Sequence, residues 1–230
     1  LFYPEYPTKR SVAYKVFRKL NYNITNNPNQ SFDIAISWEN TTFKKAPGLL
    51  RELIAKVRVL NINCNDISKE NVDIVFNRVF GYGLFINPLE YEGKCVKKSD
   101  LNAKHDGIVI NCPVHKTEEG FIYQKIVNNE HPDFLVQDIR VPVFEGRIPF
   151  VYLKYRSIQD RFNNTNEKTT IAEVHDILTA EEVKGIGSFC RSIGLDYGEL
   201  DVLRDNDNGK IYIVDVSNTP WGPPNKISKK

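Results

Sequence analysis

The 230-residue sequence predicts an α+β fold in which antiparallel sheet dominates the second half. Three observations carry this. Two stretches repeat apolar residues at three- and four-residue spacing behind a capping residue, as an amphipathic helix does. Between them runs a series of short β-like segments divided by turn dipeptides. After them, two strands flank an Asp/Asn-rich turn, the pattern of a hairpin. A chain of this length makes one large domain or two small ones, and it buries roughly 70% of its unfolded surface without needing staples.

Composition excludes several classes. Hydrophobic residues make up 41% and charged residues 26%, with 31 Lys and Arg against 29 Asp and Glu. That balance excludes wholesale disorder, collagen and coiled coil. No apolar run approaches the ~20 residues that span a bilayer. A net charge of +2 supplies no basic field for nucleic acid, so neither nucleic acid nor membrane is expected as a partner. No feature sets an oligomeric state. Cys64, Cys95, Cys112 and Cys190 form no C-x-x-C pair and are expected as buried, reduced thiols. The start, LFYPEYPTKR, has neither the basic nor the apolar segment of a signal peptide, so cytoplasm is the expected compartment. The sequence contains no Met, so Leu1 is not expected to be the native start.

In chain order, the Asn-rich stretch 21–30 reads as an exposed loop. Phe32–Ser37 alternates as a strand, Pro47 and Gly48 open a helix carrying Leu49, Leu50, Leu53 and Ile54, and Val57–Ile62 is a second strand. This β-α-β start is too short for a dinucleotide-binding domain and has no G-x-G-x-x-G. Ser68 then caps a helix with Val72, Val75, Phe76 and Val79 on one face, closed by Gly81 and Gly83. Short strands follow at Phe85-Ile86, Lys94–Lys98, Gly107–Cys112, Phe121–Val127, Ile139–Phe144 and Phe150–Tyr155. Arg161–Lys168 is a polar loop. Thr179-Ala-Glu-Glu182 is a capping box before the stripe Val183, Ile186, Phe189, Cys190 and Ile193, and Gly194 ends that helix. Glu199–Leu203 and Lys210–Val216 are strands around the turn 205–209, and a basic tail, Lys226–Lys230, reads as solvated.

The last hairpin concentrates the chemistry. In either register, Asp201 and Asp215 fall on one face of the sheet. Leu203, Ile211 and Ile213 share that face in a regular ladder, and Leu200, Val202, Tyr212, Val214 and Val216 take the other. Two carboxylates at cross-strand distance repel. Water around them or a cation between them relieves the repulsion, and Mg²⁺ takes carboxylate oxygens together with substrate phosphates. A plain solvated hairpin accommodates the same pattern.

The series Ile193-Gly-Leu-Asp196, Glu199-Leu-Asp201-Val-Leu-Arg-Asp205 and Ile213-Val-Asp215-Val-Ser-Asn-Thr-Pro220 resembles the closing signature of the ATP-grasp family. The resemblance implies ATP and Mg²⁺ as cofactors, with Asp201 and Asp215 holding the metal at the ATP phosphates. The family's further Asn ligand falls at Ser217, so Ser217 ligates weakly, Asn218 substitutes through a bulge, or a second metal is lost. Val96-Lys97-Lys98-Ser99 resembles the strand that ends in a phosphate-contacting lysine, here Lys98, and 99–107 resembles the phosphate-covering loop. His105 in that loop is either a ligand contact or an exposed turn residue. Phe121–Val127 resembles the linker that binds adenine, which places Gln124, Lys125, Ile126 and Val127 at the base and Leu203 with the nucleotide. Asp138-Ile-Arg140 and Lys154-Tyr-Arg156 resemble strands whose Arg140 and Arg156 face the transferred phosphate.

The resemblance spans about Ser68 to Pro220. It implies two α+β subdomains sandwiching a nucleotide, 67–125 and 126–230, after a reduced N-terminal α/β region, 1–66. At 230 residues the chain is small for the family, with the shortfall at the N-terminus. The implied activity is a Mg-ATP-dependent ligase that phosphorylates a small-molecule or peptide carboxylate for attack by an amine or thiol. The alternatives are a kinase-type phosphotransferase and a nucleotide-binding protein without ligase activity. G-x-S-x-G and H-E-x-x-H are absent, consistent with chemistry that needs no nucleophilic side chain.

Overall fold

The computed structural model describes residues 1–163, 165–222 and 227–229. Three sheets draw their strands from successive parts of the chain. In the first, β1 (Phe2–Pro4), β2 (Ile34–Trp38) and β3 (Arg58–Leu60) lie parallel in that order. Helices α1 (Val12–Lys19) and α2 (Gly48–Leu53) fall in the two connections, since parallel neighbours need crossovers. Sequence pattern misses β1 and α1. Three residues carry no periodicity, and α1 buries only Ala13. Ser11 still caps α1, its hydroxyl accepting the Tyr14 N–H at 3.2 Å.

Helix α3 (Lys69–Phe80) begins where the sequence expects, with the Ser68 hydroxyl accepting the Asn71 N–H, and ends at Gly81 in the left-handed region. Its residues Val72, Val75 and Phe76 join the main core rather than the sheet that follows in sequence. That second sheet has the order β5-β4-β6, from β4 (Gly93–Ser99), β5 (Ile108–Cys112) and β6 (Phe121–Lys125). The strand expected at Phe85-Ile86 reduces to one bridge from Phe85 to Gln124.

The third sheet runs β12-β11-β8-β9-β10-β13, with β7 (Glu130–His131) beside β8. Its members are β8 (Leu135–Phe144), β9 (Val151–Ser157), β10 (Lys168–Ala172), β11 (Tyr197–Arg204), β12 (Ile211–Ser217) and β13 (Ile227–Lys229). Strand β10 grows out of a segment read as polar loop, because Lys168-Thr-Thr carries no apolar alternation. Strand β13 falls in the tail read as solvated and pairs in parallel with β10; Lys226 and Lys230 lie outside the described residues, as does Asn164. Between β10 and β11 come α4 (Val174–Ile177), unanticipated, and α5 (Ala180–Ile193). The capping box of α5 forms as read, with the Thr179 hydroxyl and Glu182 carboxylate each accepting the other's N–H.

Alternation gives the large sheet two unlike faces. Ile139, Val141, Val151, Leu153, Leu200 and Val202 pack into one core with Ile186, Phe189, Cys190 and Ile193 of α5. Each fully buried side chain there contributes roughly 1.5–3 kcal/mol. The alternate positions of the same strands carry Asp138, Arg140, Lys154, Arg156, Glu199 and Asp201. The hairpin departs from a regular ladder at one point. Asp201 pairs with Asp215, but Val202 pairs with Ile213, leaving Val214 as a bulge. Ile211 and Ile213 therefore join the core rather than the aspartates' face, and Val214 turns toward the site with Leu203.

Candidate active site

The charged face is written across four strands. Arg140 on β8 lies directly opposite Asp201 on β11, and Asp201 opposite Asp215 on β12. On the other side of β8, Asp138 pairs with Lys154 of β9, and Val136 with Arg156. Two-residue periodicity then puts Asp138, Arg140, Lys154, Arg156, Glu199, Asp201 and Asp215 on one surface.

Asp201 is the electrostatic centre. Arg140 grips it with two parallel hydrogen bonds of 2.9 Å, and the Lys154 ammonium stands 3.4 Å from the same carboxylate. Burial alone would raise its carboxyl, yet Arg140 and Lys154 hold it far below the usual carboxylate range. Asp215 is the reverse. Burial raises its carboxyl, Lys69 and Lys98 lower it, and its Oδ1 is buried without a hydrogen-bond partner. Glu199, two residues before Asp201, is 4% exposed. Its Oε2 lies 3.3 Å from Arg140 without hydrogen-bond geometry. Burial pushes this carboxyl up to about 7 against the pull of Arg140. On the flank, Arg156 pairs with the buried Asp138 and donates to the Asn163 carbonyl at 2.7 Å.

Two cavities share the wall formed by Arg140, Lys154, Asp201 and Asp215. The narrower, about 170 Å³, lies between this face and the small sheet, which contributes Val96, Lys98 and Gln124. Burial and the Lys69 charge pull the Lys98 ammonium down to about 8, against Asp215, Asp73 and Asp106. Lys97 points away, paired with Glu118 and lying 4.5 Å over the Phe121 ring. Val127, Leu203 and Val214 supply apolar wall.

Residues 103–107 roof this cavity, and Phe162 meets them from the other side. The approach is close: a Cβ on Gly107 would sit 2.8 Å from Phe162 Cδ1. Ala103 and His105 hold left-handed backbone in place of the glycines such a loop commonly uses. Asn102 ties the loop down at both ends of its side of the molecule. Its N–H donates to Thr42 Oγ1 at 2.9 Å and its amide to the Val216 carbonyl at 3.1 Å. The broader cavity, about 790 Å³, adds Arg10, Lys15, Glu199, Ser217 and Trp221, within the ~300–1,000 Å³ of small-molecule sites.

Most sequence candidates converge here, and some do not. Lys98, Gln124, Val127, Arg140, Arg156, Asp201, Leu203 and Asp215 line the narrow cavity. His105 is exposed and lines both, and Ser217 lines the broad one. Asn218 is turned away, its amide 3.8 Å from Cys64 Sγ in the packing against the N-terminal sheet. The bulge falls at Val214, ahead of Asp215, so it does not swing Asn218 toward the aspartates. Lys125 is exposed and Ile126 half-buried, and neither lines a cavity. The Lys125 N–H donates to the Leu84 carbonyl.

Sequence reading missed Lys69, Lys154, Arg161 and Glu199. Period two in the strands carries Lys154 with Arg156, and Glu199 with Asp201. Lys69 and Arg161 have no such signal. Lys69 donates to the Leu101 carbonyl at 2.6 Å, and Arg161 to the Val127 carbonyl at 3.0 Å and Asn129 at 2.9 Å, all long-range contacts.

Among the described residues, no group of three His, Cys, Asp or Glu is arranged to hold a metal ion. The orphaned Oδ1 of Asp215 fits Mg²⁺, which needs only one or two carboxylates beside phosphate and water. Asp201 has both oxygens engaged by Arg140, so it fits as a ligand only by exchanging that partner.

The fold is shared with several solved structures. The ATP-grasp ligase PsnB, solved with a precursor variant, Mg and ADP, superposes with a TM-score of 0.53 at 14% identity over 75% of this chain. D-alanine–D-alanine ligase from Bacillus anthracis, solved with ATP, gives 0.52 at 12% identity over 82% of this chain and 69% of its own. D-cycloserine synthetase DcsG gives 0.51 at 10% identity over 90% of this chain and 84% of its own. The chain spans 56% of the PsnB chain. No family model and no curated protein matches the sequence. The chain has the ATP-grasp fold.

Proposed function

We propose that this chain is a Mg-ATP-dependent ligase that converts a carboxylate to an acyl phosphate for attack by an amine or thiol. One observation carries the proposal. Arg140, Lys154, Asp201 and Asp215 line both a narrow cavity and a broad one, so a phosphoryl group in the first is presented to an acceptor in the second. Such transfer is mostly positioning and charge neutralisation. Lys98, Lys154 and Arg156 supply fixed positive charge, and Arg140 orients Asp201. Asp215, with Ser217 as a second oxygen donor, would hold Mg²⁺ from the protein side. The metal supplies neutralisation of the phosphate oxygens. Gln124 and Val127 receive the base, and Leu203 and Val214 pack on it.

Arg10 and Lys15 line the broad cavity and suit a carboxylate-bearing acceptor, small molecule or peptide. PsnB has been solved with a precursor peptide, which supports the peptide option. We further propose that 1–66, 67–125 and 126–230 form an N-terminal region and two nucleotide-clasping subdomains, since each sheet takes its strands from one of these stretches.

The test is ADP release with Mg-ATP against a panel of carboxylates, with hydroxylamine as nucleophile. Carboxylate-dependent ADP release with hydroxamate formation is expected, and Asp215→Asn is expected to abolish it while leaving the circular dichroism spectrum unchanged. A stable phosphorylated product without acyl transfer selects the phosphotransferase. Tight ATP binding with no ADP release selects the binding protein.

A further inference from the structure

Cys95 and Cys112 stand apart from the proposed active site. Cys95 sits on β4 and Cys112 at the end of β5, and their sulfurs are 3.0 Å apart. The ladder explains the approach. Cys112 pairs with Gly93, and Cys95 with Ile110, so the two cysteines are diagonal neighbours on one face. The Cys112 sulfur reaches along that diagonal onto Cys95. This face is the back of the small sheet, because Val96 and Lys98, of opposite parity, line the narrow cavity. The two thiols are also unequally accessible. Cys95 is buried and Cys112 partly exposed. Cys64 and Cys190 are both buried elsewhere, in the main core.

We infer that Cys95 and Cys112 form a dithiol oxidation site that closes to an intramolecular disulfide on exposure to a low-molecular-weight disulfide such as glutathione disulfide. The exchange balances in two steps. The Cys112 thiolate attacks one glutathione sulfur, the glutathione S–S bond breaks, and glutathione leaves as thiolate and takes up the proton. Cys95, losing its proton to solvent, attacks Cys112 Sγ, forming the protein S–S bond and expelling the second glutathione. Two protein thiols are oxidised and one glutathione disulfide is reduced to two glutathiones. Burial, with Cys112 alongside, pushes the Cys95 thiol up to about 12, so the partly exposed Cys112 reacts first and closure quickens as the pH rises. The bond staples β4 to β5 behind the loop 99–107 that joins them.

The folded protein is incubated with glutathione disulfide at pH 8, alkylated, and mapped by peptide mass spectrometry without reduction. The expected result is loss of two of the four alkylatable thiols and a single cross-linked peptide joining Cys95 to Cys112. A rise in melting temperature that dithiothreitol reverses accompanies it. Cys95→Ser is expected to stop at a glutathione adduct on Cys112, and Cys112→Ser to remain unmodified at Cys95. Four thiols persisting after prolonged oxidation, a bond involving Cys64 or Cys190, or a Cys95→Ser variant indistinguishable from wild type each overturns the inference. Both cysteines lie off the nucleotide-facing surface, so the readout is independent of ligase activity.

Discussion

Lys97 and Lys98 are adjacent in sequence and opposite in environment. Lys97 is held at the rim by Glu118 and the Phe121 ring, and Lys98 lies within reach of the Asp215, Asp73 and Asp106 charges. Lys98→Ala is therefore expected to weaken ATP binding by at least about tenfold, roughly 1.4 kcal/mol, and Lys97→Ala by less than about twofold. Titration calorimetry with ATP decides it, and the reverse order would mean that the strand faces the other way in solution. Strand parity made the two aspartates legible in the sequence, since alternation needs only local information, whereas Lys98, Arg140 and Arg156 were marked only by the family resemblance. What parity leaves open is whom each side chain meets. Asp201 reads as a metal ligand or a solvated carboxylate and is instead clamped by Arg140, a residue 61 positions away.

At the scale of elements, the bulge and the capping box make opposite demands on the chain. Deleting one residue from a regular strand turns every following side chain to the wrong face. Deleting Val214 does not, because the bulged residue is the unpaired one and Asp201/Asp215 and Val202/Ile213 become consecutive pairs. The Val214 deletion is expected to cost less than about 2 kcal/mol, and deletion of Leu153 from the regular, buried strand β9 more than about 3, by urea unfolding. In α5, burial raises the Glu182 carboxyl, but hydrogen bonds from Arg204 and the Thr179 N–H outweigh it and hold the group below its ordinary range. A depressed carboxyl contributes stability above its unfolded pKa and loses it as pH falls through the folded one. Wild type is thus expected to exceed Glu182→Gln in stability at pH 7 and to converge with it in acid. A gap that persists at pH 2 would assign the effect to packing. The capping box was legible because its residues are three apart, whereas β10 and β13 exist only through partners distant in sequence.

Across the whole molecule, Asn61 welds the N-terminal sheet to the large one. Its amide donates to the Tyr197 carbonyl at 2.7 Å, and its carbonyl accepts the N–H groups of Asp196 and Tyr197 at 2.9 Å each. It is fully buried in left-handed backbone, which Asn tolerates. Asn61→Ala strands three backbone groups and is expected to cost about 3 kcal/mol, read from the urea midpoint by circular dichroism. A shift below about 1 kcal/mol would show that the two sheets do not depend on this joint. The α+β class and the order of most elements could be read from the sequence. The packing of α3 on the large sheet could not, because an amphipathic stripe says that a helix is covered and not by what.

The double tether of Asn102 sets how the narrow cavity exchanges its contents. One hydrogen bond reaches Thr42 in the connection between β2 and α2, the other the edge strand β12 at Val216, and the loop itself belongs to the β4–β5 hairpin. Lifting the roof breaks contacts to two sheets in the same stroke. Release from beneath it then requires several contacts to part together: the Asn102 side chain from Val216, the Asn102 N–H from Thr42, and the Lys69 ammonium from the Leu101 carbonyl.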